Sequence, residues 1–167
     1  MKQSIVILLP ENKKIRRIRE RYDPNYKKFK LHISVVFPFQ NVPKKQLYEH
    51  IRKSLKKIKP FKLTLKGLKK SAKEYYLYLL INKGKDELKE AYKNLHSKLL
   101  AKFKNKDMPS YIPHITLGVF KTKKEIDNAI KKIKNKNPVL KTKVNAISLL
   151  TLDKSYKIKS IKKFKLK

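Results

Sequence analysis

The sequence predicts an α+β fold built from two similar lobes, and three observations support this prediction. Short apolar runs of strand length alternate with segments of helical periodicity along all 167 residues. The order strand, helix, histidine-bearing strand, helix, strand occurs once in each half of the chain. In addition, 40% of the residues are apolar, which is enough to build a buried core. We expect one bilobal domain over 1–167, with lobes formed from about 1–70 and 71–167.

Strands are predicted where short apolar runs occur or where apolar and polar residues alternate. Phe61, Leu63 and Leu65 alternate with lysines and a threonine, which is typical of a half-buried strand. The predicted strands are 4–9, 30–37, 61–68, 75–81, 110–120, 143–152 and 156–166.

Four helices are predicted from apolar residues spaced three or four positions apart. Pro43 favours a first helical turn, Pro60 ends that helix, and Thr122 with Glu125 predicts a capping box. The predicted helices are 12–22, 43–58, 84–103 and a fourth that begins at 122. Their predicted inward residues are Ile15, Ile18, Tyr22, Leu47, Ile51, Leu55, Leu88, Tyr92, Leu95, Leu99, Ile126, Ile130 and Ile133.

The composition excludes several classes of site and location. The chain contains no cysteine, so it has no disulfide and no thiolate-ligated zinc or iron–sulfur centre. The apolar run 5–9 ends at Pro10 and is too short for a signal-peptide core or a membrane span. We therefore expect a cytoplasmic protein that does not associate with membranes, and we expect it to be a monomer.

The charge balance is extreme, because 46 basic and 12 acidic residues give a formal net charge of +34. Such a field attracts polyanions such as RNA or DNA. The cations are 41 lysines and 5 arginines, although arginine is usually favoured for geometric recognition of phosphate. Attraction of a nucleic acid and a compositional bias toward lysine therefore both remain open as causes, and they are compatible.

Two short segments share the pattern histidine, apolar residue, hydroxyl residue, apolar residue. They read HISV from His32 and HITL from His114. Side chains alternate across a strand, so His32 and Ser34 are predicted to share one face, as are His114 and Thr116. Each strand thus presents an imidazole beside a hydroxyl.

The neighbours of these motifs carry further expectations. Val36 and Gly118 are predicted to continue the polar faces, where their small size leaves room for a ligand. Three aromatic residues flank the motifs and could stack on a base, namely Phe37, Phe39 and Tyr111. The alternation of side chains along the strand, however, places Phe37 with the core residues.

Paired imidazoles and hydroxyls are suited to phosphodiester cleavage. The reaction needs a base for the attacking oxygen, an acid for the leaving oxygen and donors for the non-bridging oxygens. Histidine titrates near neutral pH, so one ring can be neutral while the other is protonated. No metal or other cofactor is required.

The pair HISV and HITL resembles the paired motifs of the two-histidine (2H) phosphoesterase superfamily, which includes cyclic phosphodiesterases and RNA 2′,5′-ligase-like proteins. The contexts LHISVVFPF and YIPHITLGVF, with an LPE turn after the first strand, extend the resemblance across most of the chain. It implies two pseudo-symmetric lobes around a central cleft, each an antiparallel sheet with outer helices.

The resemblance also implies the roles of the motif residues. His32 and His114 would be the catalytic pair, and Ser34 and Thr116 would hold the phosphate, with serine at 34 where threonine is common. The expected activity is metal-independent, on RNA-type 2′,3′-cyclic phosphates or 2′,5′-phosphodiester bonds. The expected partner is RNA or a nucleotide.

Other sites and functions were weighed against this interpretation. A zinc site needs a third ligand, and no carboxylate or histidine stands at i+3 or i+4 from either motif. A Ser34 nucleophile is disfavoured because no nucleophile-elbow glycines are present. His50 and His96 lie in helical segments, where solvated or helix-packing roles are expected. A basic RNA-binding module on the same fold, and an esterase for a small nucleotide such as an ADP-ribose cyclic phosphate, remain alternatives.

Overall fold

The computed structural model describes residues 1–71, 75–104 and 110–167. The strands in these ranges are β1 Lys2–Leu8, β2 His32–Phe39, β3 Phe61–Lys70, β4 Tyr76–Lys83, β5 His114–Val119, β6 Leu140–Val144, β7 Ala146–Leu152 and β8 Ile158–Lys165. The helices are α1 Lys13–Tyr22, α2 Lys44–Leu55, α3 Lys85–Leu95 and α4 Lys123–Lys134, with a 3₁₀ helix at Lys98–Phe103.

The eight strands form two four-stranded antiparallel sheets. Sheet A has the order β2-β1-β7-β8, and sheet B has the order β5-β4-β3-β6. The predicted α+β class with two similar antiparallel sheets is confirmed. The order of strands is also equivalent, because each histidine strand lies at one edge of its sheet and pairs with the first strand of its half.

The sheets do not follow the expected division at about residue 70. Strand β3 belongs to sheet B, where it pairs with β4, and the late strand β7 returns to sheet A to pair with β1. The lobes therefore exchange strands, so 1–70 and 71–167 do not each form one sheet.

This exchange also corrects the single strand predicted over 143–152. Val144 pairs with Phe61 in sheet B, whereas Ala146 pairs with Lys165 in sheet A. The exposed Asn145 separates the two strands, and its carbonyl accepts a hydrogen bond from Leu166 at 2.9 Å. A continuous apolar run cannot reveal a change of sheet, so periodicity alone missed it.

The helix starts follow local chemistry. The side chain of Asn12 accepts a hydrogen bond from the Ile15 amide at 3.0 Å, which caps α1. The capping box predicted for Thr122 and Glu125 is present at the start of α4. Gly84 precedes α3 at φ +88°, and a Cβ there would lie 2.7 Å from the Lys62 carbonyl oxygen.

Two predicted elements are shorter than expected. The helix predicted to about 103 ends at Leu95, because the Ser97 hydroxyl donates to the Asn94 carbonyl at 2.6 Å and the backbone at Ser97 is extended. The strand predicted over 110–120 begins at His114. Pro113 has no amide proton to donate to a ladder, and it directly precedes the strand.

One core cluster joins the inner faces of the sheets to the buried faces of the helices. Most predicted inward residues belong to it, whereas Tyr22, Tyr92, Leu99 and Ile130 are only partly buried against it. The core therefore fixes both histidine strands from behind and leaves their opposite faces for a ligand.

Candidate active site

Strand β2 contains a bulge at the last residue of its motif. Ser34 lies opposite Val6, but Val36 lies opposite Ile5, so Val35 is an extra residue on β2. The bulge reverses the alternation of faces. Val35 and Val36 are consequently both buried.

Strand β5 has the same bulge at the equivalent place. Thr116 lies opposite Tyr78 and Gly118 opposite Leu77, which leaves Leu117 as the extra residue. The burial pattern of β5 also matches the first six positions of β2. The two motifs are thus equivalent in register as well as in sequence.

The bulges overturn the expectation that Val36 and Gly118 leave room for a ligand. Val36 is fully buried in the core. A Cβ at Gly118 would lie 2.8 Å from Tyr22 Cβ and 2.9 Å from the Phe120 ring. Glycine therefore serves close packing at this position. The same parity change leaves Phe37 half-buried, whereas we expected it in the core.

All four predicted site residues, His32, Ser34, His114 and Thr116, line one cavity of about 190 Å³. The face of β2 and the face of β5 that carry the motifs meet here. The other residues around the cavity are Arg19, Asp23, Asn25, Phe29, Leu31, Tyr76, Ile115 and Val119.

Each imidazole is held by a bond to its own backbone. The Nδ1 of His32 lies 2.7 Å from the Lys30 carbonyl oxygen, and the Nδ1 of His114 lies 2.7 Å from the Ile112 carbonyl oxygen. A carbonyl can only accept, so Nδ1 carries the proton and donates. In both neutral rings Nε2 is therefore the nitrogen with a free lone pair for proton transfer.

Burial lowers the pKa of both histidines. For His32 desolvation outweighs the bond to the Lys30 carbonyl, which raises the pKa, while the charges of Arg19 and Asp23 act in opposite directions. For His114 desolvation again dominates, the Ile112 carbonyl raises the pKa, and the charge of His32 lowers it. The two rings are therefore close enough for the charge of His32 to affect the proton affinity of His114.

A buried ion pair flanks His32. Arg19 donates to one carboxylate oxygen of Asp23 through Nε at 3.0 Å and through a terminal nitrogen at 2.7 Å. That nitrogen also donates to the Phe29 carbonyl at 3.2 Å. The ring of Phe29 meets the His32 ring edge-on with centroids 6.0 Å apart. The ion pair thus secures the segment that leads into β2 and shields one side of His32.

A tyrosine flanks His114 instead. The Tyr78 ring stacks on the His114 ring with centroids 3.6 Å apart and an interplanar angle of 27°. The Tyr76 ring in turn stacks on Tyr78, with centroids 6.3 Å apart. The second imidazole therefore has an aromatic face where the first has an ion pair.

Tyr111 joins the two halves of the site. Its hydroxyl donates to the Ser34 carbonyl at 2.8 Å, and its ring stacks on Tyr92 with centroids 4.2 Å apart. Burial, with a smaller effect of Tyr92, raises the pKa of Tyr111, so the phenol stays protonated as a donor. Tyr111 and Phe39 are both buried, Phe39 against Phe103, and neither lines the cavity. Neither can stack on a base there, contrary to expectation.

Comparison with known proteins places the chain in a family. A model of the 2′-5′ RNA ligase superfamily matches residues 9–155. The chain belongs to this superfamily. A comparison with curated protein sequences gives no match.

Solved structures of the two-histidine phosphoesterase superfamily share its fold. LigT of E. coli complexed with 3′-AMP is 16% identical, with a TM-score of 0.57 over 99% of this chain and 95% of that one. Usb1 of Kluyveromyces marxianus with uridine monophosphate is 13% identical, with a TM-score of 0.59 over 99% and 98%. TT0787 of Thermus thermophilus is 14% identical, with a TM-score of 0.55 over the full length of both chains. The fold expected from the resemblance is thereby confirmed.

Sequence reasoning missed several cavity residues of this superfamily member, namely Arg19, Asp23, Asn25, Phe29 and Tyr76. One signal was available for the ion pair. Arg19 stands four residues after Ile15 and four before Asp23, so a helix places it beside a core position and within reach of the carboxylate. No comparable pattern marks the other three residues.

The remaining histidines lie away from the cavity. His50 is buried, and its Nε2 lies 2.9 Å from the Leu95 carbonyl oxygen, which connects α2 to α3. His96 caps the end of α3, with Nδ1 3.0 Å from the Tyr92 carbonyl oxygen and a buried, unbonded Nε2. Packing roles are confirmed for both, and neither is solvated.

The residues that the structure describes contain no group of three or more histidine, cysteine, aspartate or glutamate side chains able to hold a metal ion. Independence from metal stays a prediction. None of the helices in the described ranges has the length and apolar character that a membrane crossing requires.

Proposed function

We propose that this member of the 2′-5′ RNA ligase superfamily is a metal-independent phosphoesterase that acts on RNA-type 2′,3′-cyclic phosphates or 2′,5′-phosphodiester bonds. One observation carries the proposal. Two imidazoles, each fixed through Nδ1 to the carbonyl two residues before it, line the same cavity as two hydroxyl side chains. An acid, a base and two hydrogen-bond donors are the groups that phosphodiester chemistry needs.

The proposed reaction divides proton transfer between the two rings. For a cyclic phosphate, a neutral imidazole accepts a proton from water at Nε2 while the water oxygen attacks phosphorus. The protonated imidazole donates its Nε2 proton to the ribose oxygen as the phosphorus–oxygen bond breaks. The product is a phosphomonoester, and the rings have exchanged protonation states. The hydroxyls of Ser34 and Thr116 donate to the non-bridging oxygens as charge develops there.

The nucleotide class of substrate is supported by relatives and by the cavity. LigT is complexed with 3′-AMP and Usb1 with uridine monophosphate. The rings of Phe29 and Tyr76 line the cavity beside the motif residues and provide apolar surface for a nucleoside.

Turnover of three substrates by the purified protein tests the proposal. These are a nucleoside 2′,3′-cyclic phosphate, an RNA ending in that group and a 2′,5′-linked dinucleotide, each assayed with and without EDTA. We expect turnover of at least one substrate, unchanged by EDTA. Activity abolished by EDTA and restored by zinc or manganese would refute metal independence. A folded protein inactive on all three substrates would favour a non-catalytic RNA-binding module.

A further inference from the structure

A cationic groove lies between the end of α2 and the edge strand β8, away from the catalytic cavity. Its volume is about 370 Å³. Leu55 and Phe164 line it and are themselves buried, at 5% and 7% exposure. Its other lining residues are Arg52, Lys56, Lys162, Lys163, Lys165 and Lys167.

The abundance of lysine alone does not explain this groove. A bias toward lysine at solvated positions would affect every concave surface of the chain. However, the cavity beside Pro43 has one cation, Lys44, among its seven lining residues. The catalytic cavity has Arg19 alone, and Asp23 pairs with it. The cavity that contains Tyr26 has four cations among its ten lining residues, and the cavity beside His96 has three among seven. With six cations among eight lining residues, the cationic groove has a larger share than any of these.

The charges of the cationic groove are not neutralised locally. In the described parts of the chain, the ion pairs found involve none of its six cations. The segment 154–167 contains seven lysines and no acidic side chain. The C-terminal end of α2 contributes a partial negative charge of only about half a unit. The net field in the groove is positive and suits a chain of phosphates.

The register of sheet A places one side chain of this groove, Lys163, on the face that carries the catalytic motif, whereas the adjacent Phe164 lies on the opposite, helix-covered face with Leu55. Ser34 lies opposite Val6, Val6 opposite Ser148, and Ser148 opposite Lys163. Residues that face each other across antiparallel strands point to the same side of the sheet. Lys163 therefore lies on the same face as Ser34, three strand spacings or about 14 Å away.

We propose that the cationic groove binds the phosphate backbone of single-stranded RNA whose terminal phosphate occupies the catalytic cavity. The inference rests on the proposed function for the identity of the bound end. Lysines are flexible point charges, so the groove would bind backbone phosphates without reading sequence. Stacked nucleotides advance by about 3.4 Å each, so an RNA of about four nucleotides is needed to reach Lys163, and a longer one must cross the edge of β8 to enter the rest of the groove.

Removal of three groove charges tests the proposal. The groove variant is Lys162→Gln/Lys163→Gln/Lys165→Gln, and the matched control is Lys131→Gln/Lys132→Gln/Lys134→Gln on α4, which removes the same charge from exposed positions. The probe is a fluorescent single-stranded oligouridylate with a 3′-phosphate, on the order of ten nucleotides at ~3.4 Å each. Its dissociation constant is measured over a range of salt concentrations.

We expect the slope of log affinity against log salt to fall by about 2 in the groove variant, because each single-strand phosphate contact contributes ~0.7. The control should keep a slope near wild type, and a dinucleotide should bind all three proteins equally. Equal loss in the two variants would overturn the groove in favour of diffuse charge. Polyglutamate that displaces the probe as well as unlabelled RNA does would also overturn it.

The binding assay separates this inference from the proposed function. A wild-type protein that turns over no substrate, yet binds RNA through the groove, would refute the function alone. Turnover of cyclic phosphates with unchanged binding in the groove variant would refute the groove alone.

Discussion

Strands β2 and β5 hold their histidines in the same way but place them in different surroundings. Each strand has a bulge three residues after the histidine and a 2.7 Å bond from Nδ1 to the carbonyl two residues before it. His32 then lies beside the Arg19–Asp23 ion pair, whereas His114 stacks on Tyr78. The shared features leave the Nε2 atom of each ring free for proton transfer. The differing features affect how readily each ring is protonated.

This difference matters for acid–base chemistry. A pair of identical rings would share one proton equally, whereas an acid and a base must differ when the reaction begins. The charges of Arg19 and Asp23 act on the pKa of His32 in opposite directions, whereas the ring of His114 stacks on Tyr78. We infer that the asymmetry around the two rings decides which one is the acid.

The largest expected effect comes from removing either ring. His32→Ala and His114→Ala should each lower kcat on the order of 10²–10⁴-fold, because each removes one partner in proton transfer. The double variant should be little worse than the poorer single variant, since the rings act in one event. Steady-state rates on a cyclic phosphate, with circular dichroism to verify folding, provide the measurement.

Two control variants retain the buried bonds of the other histidines. His50→Gln can still donate to the Leu95 carbonyl, and His96→Asn suits a helix end and can reach the Tyr92 carbonyl. Both should keep near-wild-type kcat. Full activity in a folded His32→Ala or His114→Ala protein would contradict the two-histidine mechanism.

Removal of either hydroxyl should lower kcat less than removal of a histidine does, and by a similar factor in the two strands. Ser34→Ala and Thr116→Ala should each cost ~10–10³-fold in kcat, because one hydrogen bond to phosphate is lost while proton transfer remains. Ser34→Thr and Thr116→Ser keep the hydroxyl and should restore most of the rate. Alanine variants that raise KM and leave kcat unchanged would show that these groups bind the ground state only.

The pH dependence tests whether the two rings work as a pair. The pKa of each is lowered from the ordinary 6.5, so each loses its proton at a lower pH than a free histidine does. The form with one proton on the pair should therefore be most abundant on the acidic side of 6.5, and kcat/KM should follow a bell with its maximum there. A maximum above about pH 8, with chemistry rate-limiting, would contradict the proposed division of protons.

The smallest expected effect is a shift of one limb of the bell-shaped pH profile of kcat/KM. Arg19→Gln removes a repelling cation and exposes His32 to the charge of Asp23, so the pKa of His32 should rise. Asp23→Asn leaves the cation alone and should lower it. If the acidic limb of kcat/KM moves, His32 is the base, and if the alkaline limb moves, it is the acid. A profile unchanged in both folded variants would remove the ion pair from the mechanism.

Much of this site follows from a short stretch of sequence. A histidine and a hydroxyl two residues apart on a strand share a face, and this rule paired His32 with Ser34 and His114 with Thr116. The family resemblance predicted that the two pairs meet, and all four residues line one cavity. The helix caps were equally local, as Thr122 shows. Such features depend on neighbours in the chain, and a single sequence contains those neighbours.

The failures have long-range causes. The bulges that bury Val36 and Gly118 depend on the pairing of β2 with β1 and of β5 with β4, which periodicity within one strand cannot reveal. The pairing partner of each strand could also not be predicted from the sequence, so the two strands within 143–152 were predicted as one. Phe29 and Tyr76 reach the cavity only through the tertiary fold.

The exchange of strands between the sheets has a consequence for how the chain folds. Lys2 pairs with Leu152, so β1 acquires its second neighbour only after almost the whole chain exists. At a synthesis rate of ~5–20 residues per second, β1 waits roughly 7 to 30 seconds on the ribosome. During that interval the isolated pair of strands β1 and β2 is only marginally stable, and the free edge of β1 presents the apolar run 5–9 to other chains. We expect the high contact order of this pairing to make closure of sheet A the slow step of folding, so the His32 half of the site forms last.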